Sequence, residues 1–488
     1  MKTLKKQLLP NYKKYPEKVL QFGSGNFLRA FVDWQIDQMN QKADFHGSVV
    51  IAQSTGSGTV DKLNEQDGLF TVCIQGRENG RVIEEHSIVT CVQRGIAISD
   101  SYQEFLQTAQ TPSLRFVVSN TTEAGIRFEK EALGNQPPKT FPGKLTVFLY
   151  ERYKAFQGDE SKGMVIIPCE LIERNGEVLK QTVLRYAKSW QLENEFIRWI
   201  HDANTFCSSL VDRIVPGFPQ EKFSEMTAKL GYHDQLLVMA EPYYLWVIEG
   251  PDTLREELPF EKAGLNVLLV DDMTPYRTLK VRILNGVHTA MAAVAYLHGC
   301  RTVGEAVRDP LIKEYIDKLI FGEIVPTLDL PEEEAKTYAR SVLERFENPF
   351  IRHHLTSISL NALSKFRTRN LPVILDYFER FGTLPNGLVF ALSSLISYYK
   401  GKKGDEEIHL IDDEEAIELF SSLWRQYDGS DTSLAFIVKH VLAAKKIWQM
   451  DLNAIPGLAD LAASFLTAIE HEGMEEAIKR VIKRGEHG

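Results

Sequence analysis

Lys280, Asn285 and His288 are the residues whose types and spacing most invite chemistry. They sit in a stretch otherwise rich in apolar side chains, among Ile283, Leu284, Val287 and Met291. Polar groups are costly in such company unless something satisfies them. On an ideal helix, with Lys280 at zero, His288 falls near about 80° and Asn285 near about 140°, on one side. Ordinary polar residues at a domain junction would give the same letters. A potential base, an amide and an imidazole together favour a site. Hydride transfer to a ketone builds negative charge on its oxygen. A lysine ammonium can protonate that oxygen, and the neutral amine can take the alcohol proton in reverse; burial and nearby cations would lower its pKa towards the working range. Asn285 can donate to the developing oxyanion. His288 can hold a substrate hydroxyl or tune the lysine. This chemistry needs no metal.

A second constellation lies near the start. Val19-Leu20-Gln21-Phe22 runs into Gly23-Ser24-Gly25-Asn26-Phe27-Leu28-Arg29, and Phe27, Phe31 and Trp34 share one helix face. A strand, Gly-x-Gly and a helix make the βα turn of a dinucleotide site. The first glycine permits the tight turn, and the second lets backbone approach a pyrophosphate at the helix N-terminus. Leu28 stands where a third glycine is usual, and a plain strand–helix turn would read alike. Ser119-Asn120-Thr121-Thr122-Glu123 is a polar loop after a later strand; it suits either a ligand at a sheet's C-terminal edge or a helix cap. The candidate cofactor residues are Phe22, Gly23, Ser24, Gly25, Asn26, Phe27 and Arg29, with Asn120, Thr121 and Glu123. The second strand ends Ala52-Gln53-Ser54-Thr55-Gly56 without an acid, Asp61 being the nearest downstream. The turn therefore does not choose between NAD and NADP.

These residues need elements to position them. Up to about Asp272, apolar runs of strand length alternate with helical stretches: 18–22, 48–53, 114–119, 164–169, 236–240 and 266–270, with helices such as 143–156 and 177–190 between them. Continuous Val/Ile/Leu runs suit strands buried on both faces of a parallel sheet. After about Thr274 the strand signal fades into helical patterns at 304–324, 331–346, 372–381, 388–399 and 413–427. Pro331 before three glutamates is a good helix start. The expected architecture is a doubly wound α/β domain over 1–274 and an all-α domain over 275–488, with a ligand in the cleft between them.

The chain has 488 residues, 56 Lys plus Arg against 66 Asp plus Glu, a formal charge of 56 − 66 = −10. That balance argues against a nucleic-acid partner. No apolar run reaches the ~18 residues of a membrane helix, and the basic N-terminus lacks a signal-peptide apolar region. Five scattered cysteines without CxxC spacing read as reduced thiols, so a cytoplasmic location and no structural zinc are expected. An anionic ligand would need positive charge concentrated locally.

Gly23-x-Gly25-x-Phe27-x-Arg29 together with Lys280-x4-Asn285-x2-His288 resembles the mannitol dehydrogenase family of long-chain polyol dehydrogenases. Asp67-Gly68-Leu69-Phe70-Thr71, Val211-Asp212-Arg213-Ile214-Val215-Pro216, Glu241-Pro242 before Trp246, and Arg345-Phe346-x-Asn348-Pro349 agree. These marks span about residues 19–370. Cys169-Glu170-Leu171-Ile172-Glu173-x-Asn175-Gly176 and Ser357-Ile358-Ser359-Leu360-Asn361 through Lys365-Phe366 resemble the branch acting on hexuronates. The resemblance implies a Rossmann-like first domain and a helical second one. It also implies a metal-independent, NAD-dependent interconversion of D-tagaturonate and D-altronate in hexuronate breakdown.

By matching position, Lys280 is the general acid/base, Asn285 polarises the carbonyl and His288 assists. Asp212 lies near substrate or cofactor, and Lys365 reaches in from the helical domain. One departure stands out: polyol members read Cys-Asp-Asn where this chain has Cys169-Glu170-Leu171, so a second oxyanion amide is missing from Leu171. The substrate's carboxylate calls for a cation. Arg352, Lys365, Arg367 and Arg369 are in range, and Arg352 and Lys365 are taken as substrate residues; a solvated basic face is the plainer reading. The expected partner is a small uronate or aldonate, and the expected state a monomer or weak homo-oligomer. Sibling activities are the nearest alternatives: fructuronate reductase, mannitol dehydrogenase or mannitol-1-phosphate dehydrogenase. A non-catalytic nucleotide-binding regulator or a helical scaffold would leave the Lys–Asn–His set or the glycine turn unexplained.

Overall fold

The structure is a computed structural model, and it describes residues 2–54, 56, 58–121 and 125–484. The chain divides into two compact units, Met1–Met273 and Thr274–Gly488.

In the first unit, six strands form one parallel sheet: β1 (Glu17–Phe22), β2 (Ser48–Gln53), β3 (Val92–Ala97), β4 (Phe116–Ser119), β5 (Val165–Pro168) and β6 (Thr205–Phe206). Their order is β3-β2-β1-β4-β5-β6. The chain winds outward from β1 to β3, then returns to β1's other side at β4. The order thus reverses between β1 and β4, and ligands of doubly wound sheets bind at the carboxyl ends of the strands flanking such a point. Alternate residues feed two separate cores. Val19, Val49, Ile51, Phe116, Val118 and Val165 pack on one face, and Leu20, Phe22, Val50, Val117 and Ile166 on the other. Both faces are buried, which is why these strands read as unbroken apolar runs.

Two of the expected strands lie outside this sheet. Val238–Ala240 runs parallel to Phe70–Glu78, which forms a hairpin with Arg81–Val89. Val267–Val270 joins Leu245–Glu249 and Ser208–Asp212 in a third sheet. An apolar run shows that a strand is buried, not which neighbour it pairs with.

The helix that follows β1, α1 (residues 26–42), is α-helical at Asn26–Leu28, π-helical at Arg29–Asp33 and α-helical again at Trp34–Lys42. After β4, Thr140 caps the helix Phe141–Ala155, its hydroxyl accepting from Gly143 N at 3.1 Å.

Among its described residues the second unit is helical apart from the short pairing of Lys402–Lys403 with Glu406–Glu407 and an isolated bridge between Thr302 and His354. Its central helix, α2 (residues 274–298), packs against Asn386–Tyr398. The expected helix over 304–324 is broken at Pro310 into Val303–Ala306 and Pro310–Lys318, the latter running into a π-helical turn at Leu319–Ile324. Asp309 caps the second piece, accepting from the Leu311 and Ile312 N–H groups at 3.0 Å each. Glu332–Phe346 starts at Pro331, with three glutamates in its first turn. Asp413 caps Glu414–Trp424.

Candidate active site

The glycine turn sits where the strand order reverses. Phe22 pairs with Ser119 across β1 and β4, and its carbonyl accepts from Asn120 N at 3.3 Å. Gly23 has φ +121°, and an added Cβ would lie 3.1 Å from Leu28 Cδ1 and 3.2 Å from the Asn120 carbonyl oxygen. Glycine is therefore required by the protein itself here. Gly25 differs: it is exposed, has φ −66°, and an added Cβ would meet nothing within 4 Å. No steric or conformational demand of the fold asks for a glycine there, whereas close approach of a ligand to the backbone does. Asn26 beside it is exposed, at the N-terminus of α1. Both features fit a dinucleotide's pyrophosphate.

Several expected cofactor residues serve the turn rather than face outward. Arg29 is 4% exposed. Its guanidinium donates to the Ser24 carbonyl at 3.2 Å, to Asn26 Oδ1 at 2.6 Å and to the Leu236 carbonyl. Burial pulls its pKa down to about 10, so it stays charged. Arg29 thus locks the turn from below and presents no free fork to a ligand. Phe22 is fully buried against Phe105 and Phe141. Phe27 stacks on Phe31 at 5.0 Å. Ser24 Oγ donates to Gln53 Oε1 at 3.0 Å, tying the turn to the end of β2.

In the loop after β4, Thr121 gives both its N–H and its hydroxyl to Glu170 Oε1, each at 3.0 Å, and Ser119 Oγ donates to Oε2 at 3.0 Å. Glu170 is thus the hub of this edge, a role the motif it belongs to did not reveal. Burial pushes its carboxyl up despite these bonds. Asn120 is half-buried beside it, whereas Glu123 lies outside the described residues. The neighbouring Leu171 is 62% exposed.

The family-like blocks around 212 and 241 brace α1. Arg213 donates to the Ala30 carbonyl at 2.7 Å and to the Glu241 carbonyl at 3.0 Å, with its guanidinium 4.7 Å from the Trp34 ring. Ile214 N–H donates to Glu241 Oε1 at 2.6 Å. The carbonyl Arg213 holds belongs to the π-turn of α1. Asp212, 4% exposed, ends the adjoining strand opposite Leu245.

In the second unit, α2 is α-helical over Thr274–Leu279, π-helical over Lys280–Asn285 and α-helical over Gly286–His298. Gly286 N–H reaches back to the Val281 carbonyl, an i→i+5 bond. This corrects the even 100° spacing. A π-turn takes up an extra residue, so positions five apart stand roughly one turn apart, and positions eight apart close to two. Lys280, Asn285 and His288 are spaced in that way, and line up more closely than an ideal α-helix allows. Lys280 and Asn285 are half-buried, and His288 is 9% exposed.

His288 stacks on Phe346 at 4.2 Å and meets His353 edge-on at 5.1 Å. Burial, with the electrostatic influence of His353 and the charges of Arg345 and Arg369, holds it well below the usual histidine range. It is therefore neutral, and its Nε2 is buried without a hydrogen-bond partner. Such an orphan is costly and marks a place for a ligand group.

Cations surround it. On α3 (Ala362–Arg369), Lys365 Nζ donates to the Ile358 carbonyl at 2.9 Å, and Arg369 Nη1 to Thr289 Oγ1 at 3.1 Å. Burial lowers the pKa of both, and the Arg369 charge lowers Lys365 further. Arg352 is exposed, and its charge acts on Glu305. Arg367 is turned away, bonding the Ile447 carbonyl at 2.9 Å. The structure thus gathers Lys280, Asn285, His288, Lys365 and Arg369 around α2 and α3. Among the described residues no group of three or more His, Cys, Asp and Glu could hold a metal ion, and no helix is long and apolar enough to cross a membrane.

The sequence matches the mannitol dehydrogenase Rossmann domain over residues 17–262 and the mannitol dehydrogenase C-terminal domain over 272–470. It is 52% identical to the altronate oxidoreductase of Bacillus subtilis (strain 168) over 486 residues, 99% of each chain. It is 45% identical to that of Escherichia coli O7:K1 (strain IAI39 / ExPEC) over 481 residues, 98% of this chain and 99% of that one. In fold it is similar to Pseudomonas fluorescens mannitol 2-dehydrogenase, solved with NAD and D-mannitol, at a TM-score of 0.69 and 23% identity, covering 99% of this chain and 100% of that one. The chain belongs to the mannitol dehydrogenase family.

Proposed function

We propose that the protein is a dehydrogenase that reversibly interconverts D-altronate and D-tagaturonate with a nicotinamide nucleotide. The observation that carries this is the line of Lys280, Asn285 and neutral His288 across the π-turn of α2, within a cationic surround. Relatives named for altronate, alike over the whole length, point to the same substrate.

The nicotinamide supplies or accepts the hydride. The glycine turn would hold the dinucleotide, with Gly25 N–H and the N-terminus of α1 meeting the phosphates. NAD is the favoured form, in line with the family resemblance and with the mannitol 2-dehydrogenase of like fold that was solved with NAD. In reduction, Lys280 Nζ donates the proton to the carbonyl oxygen as charge builds on it, and in oxidation it takes the proton from the hydroxyl. The Asn285 amide donates to the same oxygen, a contact that strengthens as the charge develops. His288 Nε2 holds a substrate hydroxyl, and Lys365 supports the anionic end. The cytoplasm is the expected site of action.

The test is a panel of tagaturonate, fructuronate and fructose with NADH and with NADPH. The reading predicts the highest kcat/KM for tagaturonate with NADH. Faster turnover of fructuronate, or of mannitol than of altronate in reverse, would assign the protein to a sibling activity.

A further inference from the structure

The net-acidic chain holds one half-buried guanidinium beside the site with no acid to neutralise it. Arg369 has no carboxylate within ion-pair distance among the described residues. Its hydrogen bonds run from Nη1 alone, to Thr289 Oγ1 at 3.1 Å and weakly to the Asn285 carbonyl at 3.5 Å. Nη2 and Nε are left without a protein acceptor. Thr289 directly follows His288, and the Arg369 charge is felt by both His288 and Lys365. A partly desolvated cation next to another cation is unfavourable unless an anion joins them.

The other basic residues of this region are committed elsewhere. Arg352 is exposed near Glu305, Arg367 holds the Ile447 carbonyl, and Lys365 offers a point charge already bonded to the Ile358 carbonyl. Only a guanidinium presents two parallel donors to two carboxylate oxygens.

Resting on the proposed uronate activity, we infer that Arg369 is the specificity residue: its free Nη2–Nε edge receives the substrate's carboxylate, while Nη1 ties it through Thr289 to the turn carrying Asn285 and His288. It is this bond that would place a charged end at a fixed distance from the reacting carbon. Lys365, one turn earlier on the same face of α3, adds charge but no second parallel donor.

The experiment compares altronate with altritol, its neutral counterpart with an alcohol in place of the carboxylate, binding to the NAD-loaded enzyme by calorimetry. Arg369→Gln should weaken altronate about 10- to 100-fold, the worth of a charged hydrogen-bonded pair, and altritol by less than about 3-fold. Arg369→Lys should fall between, keeping charge without the fork. Thr289→Val tests the brace: by freeing Nη1 it should lower the altronate-over-altritol preference about 3- to 10-fold, less than Arg369→Gln does. NADH affinity should not change in any of them. Equal losses on both ligands, an altered NADH affinity, or an unchanged preference in Arg369→Gln would each overturn the assignment. Failure of the unmutated enzyme to reduce tagaturonate would instead overturn the proposed activity.

Discussion

Replacing Gly25 with alanine should separate cofactor binding from folding, and replacing Gly23 should not. At Gly25 the backbone already has φ −66° and ψ 163°, which alanine adopts freely, and the new methyl meets no protein atom within 4 Å. Two small terms then oppose each other. Alanine is a poorer helix N-cap than glycine, and it also reduces the freedom of the unfolded chain, so the net change should stay within about 1 kcal/mol. The methyl does occupy the space through which a pyrophosphate would approach the backbone. Loss of a hydrogen bond to a charged group is worth about 1.5–3 kcal/mol, or roughly 10- to 100-fold in NADH affinity.

At Gly23 the same methyl would need φ +121° and would press on Leu28 and on the Asn120 carbonyl, a backbone group that cannot swing away. The strained backbone alone costs about 1–3 kcal/mol of stability. NADH fluorescence titration with parallel thermal melts measures both quantities. A Gly25→Ala enzyme binding NADH within about 3-fold of the parent would refute the turn as the phosphate site. One that melts as early as Gly23→Ala would refute the open space read at Gly25.

Two further outcomes follow from buried titratable groups. His288 is held neutral by burial and surrounding positive charge, so His288→Ala should raise KM about 10-fold, through loss of one buried hydrogen bond, while the limbs of the pH–rate profile stay in place; a lost limb would make His288 the proton carrier. Glu323 is buried against the N-terminus of Asn386–Tyr398, accepting from Gly387 N at 2.6 Å and Leu388 N at 2.9 Å, and burial pushes its carboxyl up to about 7. Between its ordinary value of 4.5 and about 7 the folded protein keeps a proton the unfolded chain releases, so stability falls as pH rises through that window. Glu323→Gln should remove up to about 3 kcal/mol of that fall, read from urea titrations at about pH 5 and about pH 8; parallel pH dependence in parent and variant would contradict it.

What the sequence shows and what it hides follows from the physics of each element. Val19–Phe22, Val49–Ala52 and Val165–Ile167 are legible because burial on both faces removes polar alternation. The same criterion passes over β3, where Gln93 and Arg94 interrupt the run. It also passes over the hairpin of Phe70–Glu78 and Arg81–Val89, whose second strand is largely exposed. Asn79-Gly80 carries a separate signal for that hairpin: both residues have positive φ, and Glu78 pairs with Arg81 across a two-residue turn.

At the site, residue types pick out Lys280, Asn285 and His288, but their alignment depends on a π-turn that an even helical spacing cannot express. Arg29 sits in the glycine motif and so reads as a ligand residue, yet its donors are consumed by carbonyls and by Asn26. Arg352 and Arg369 are equivalent as letters. Only the packing shows that one faces solvent near Glu305 and the other, among the described residues, stands without an acid beside His288.

The most direct test of the account is the proton step at Lys280, measured in Lys280→Ala with tagaturonate and NADH. With Lys280 as the proton carrier, kcat should fall about 10²- to 10⁴-fold, the usual worth of a positioned acid/base, with NADH affinity unchanged. Turnover close to that of the parent enzyme would contradict it.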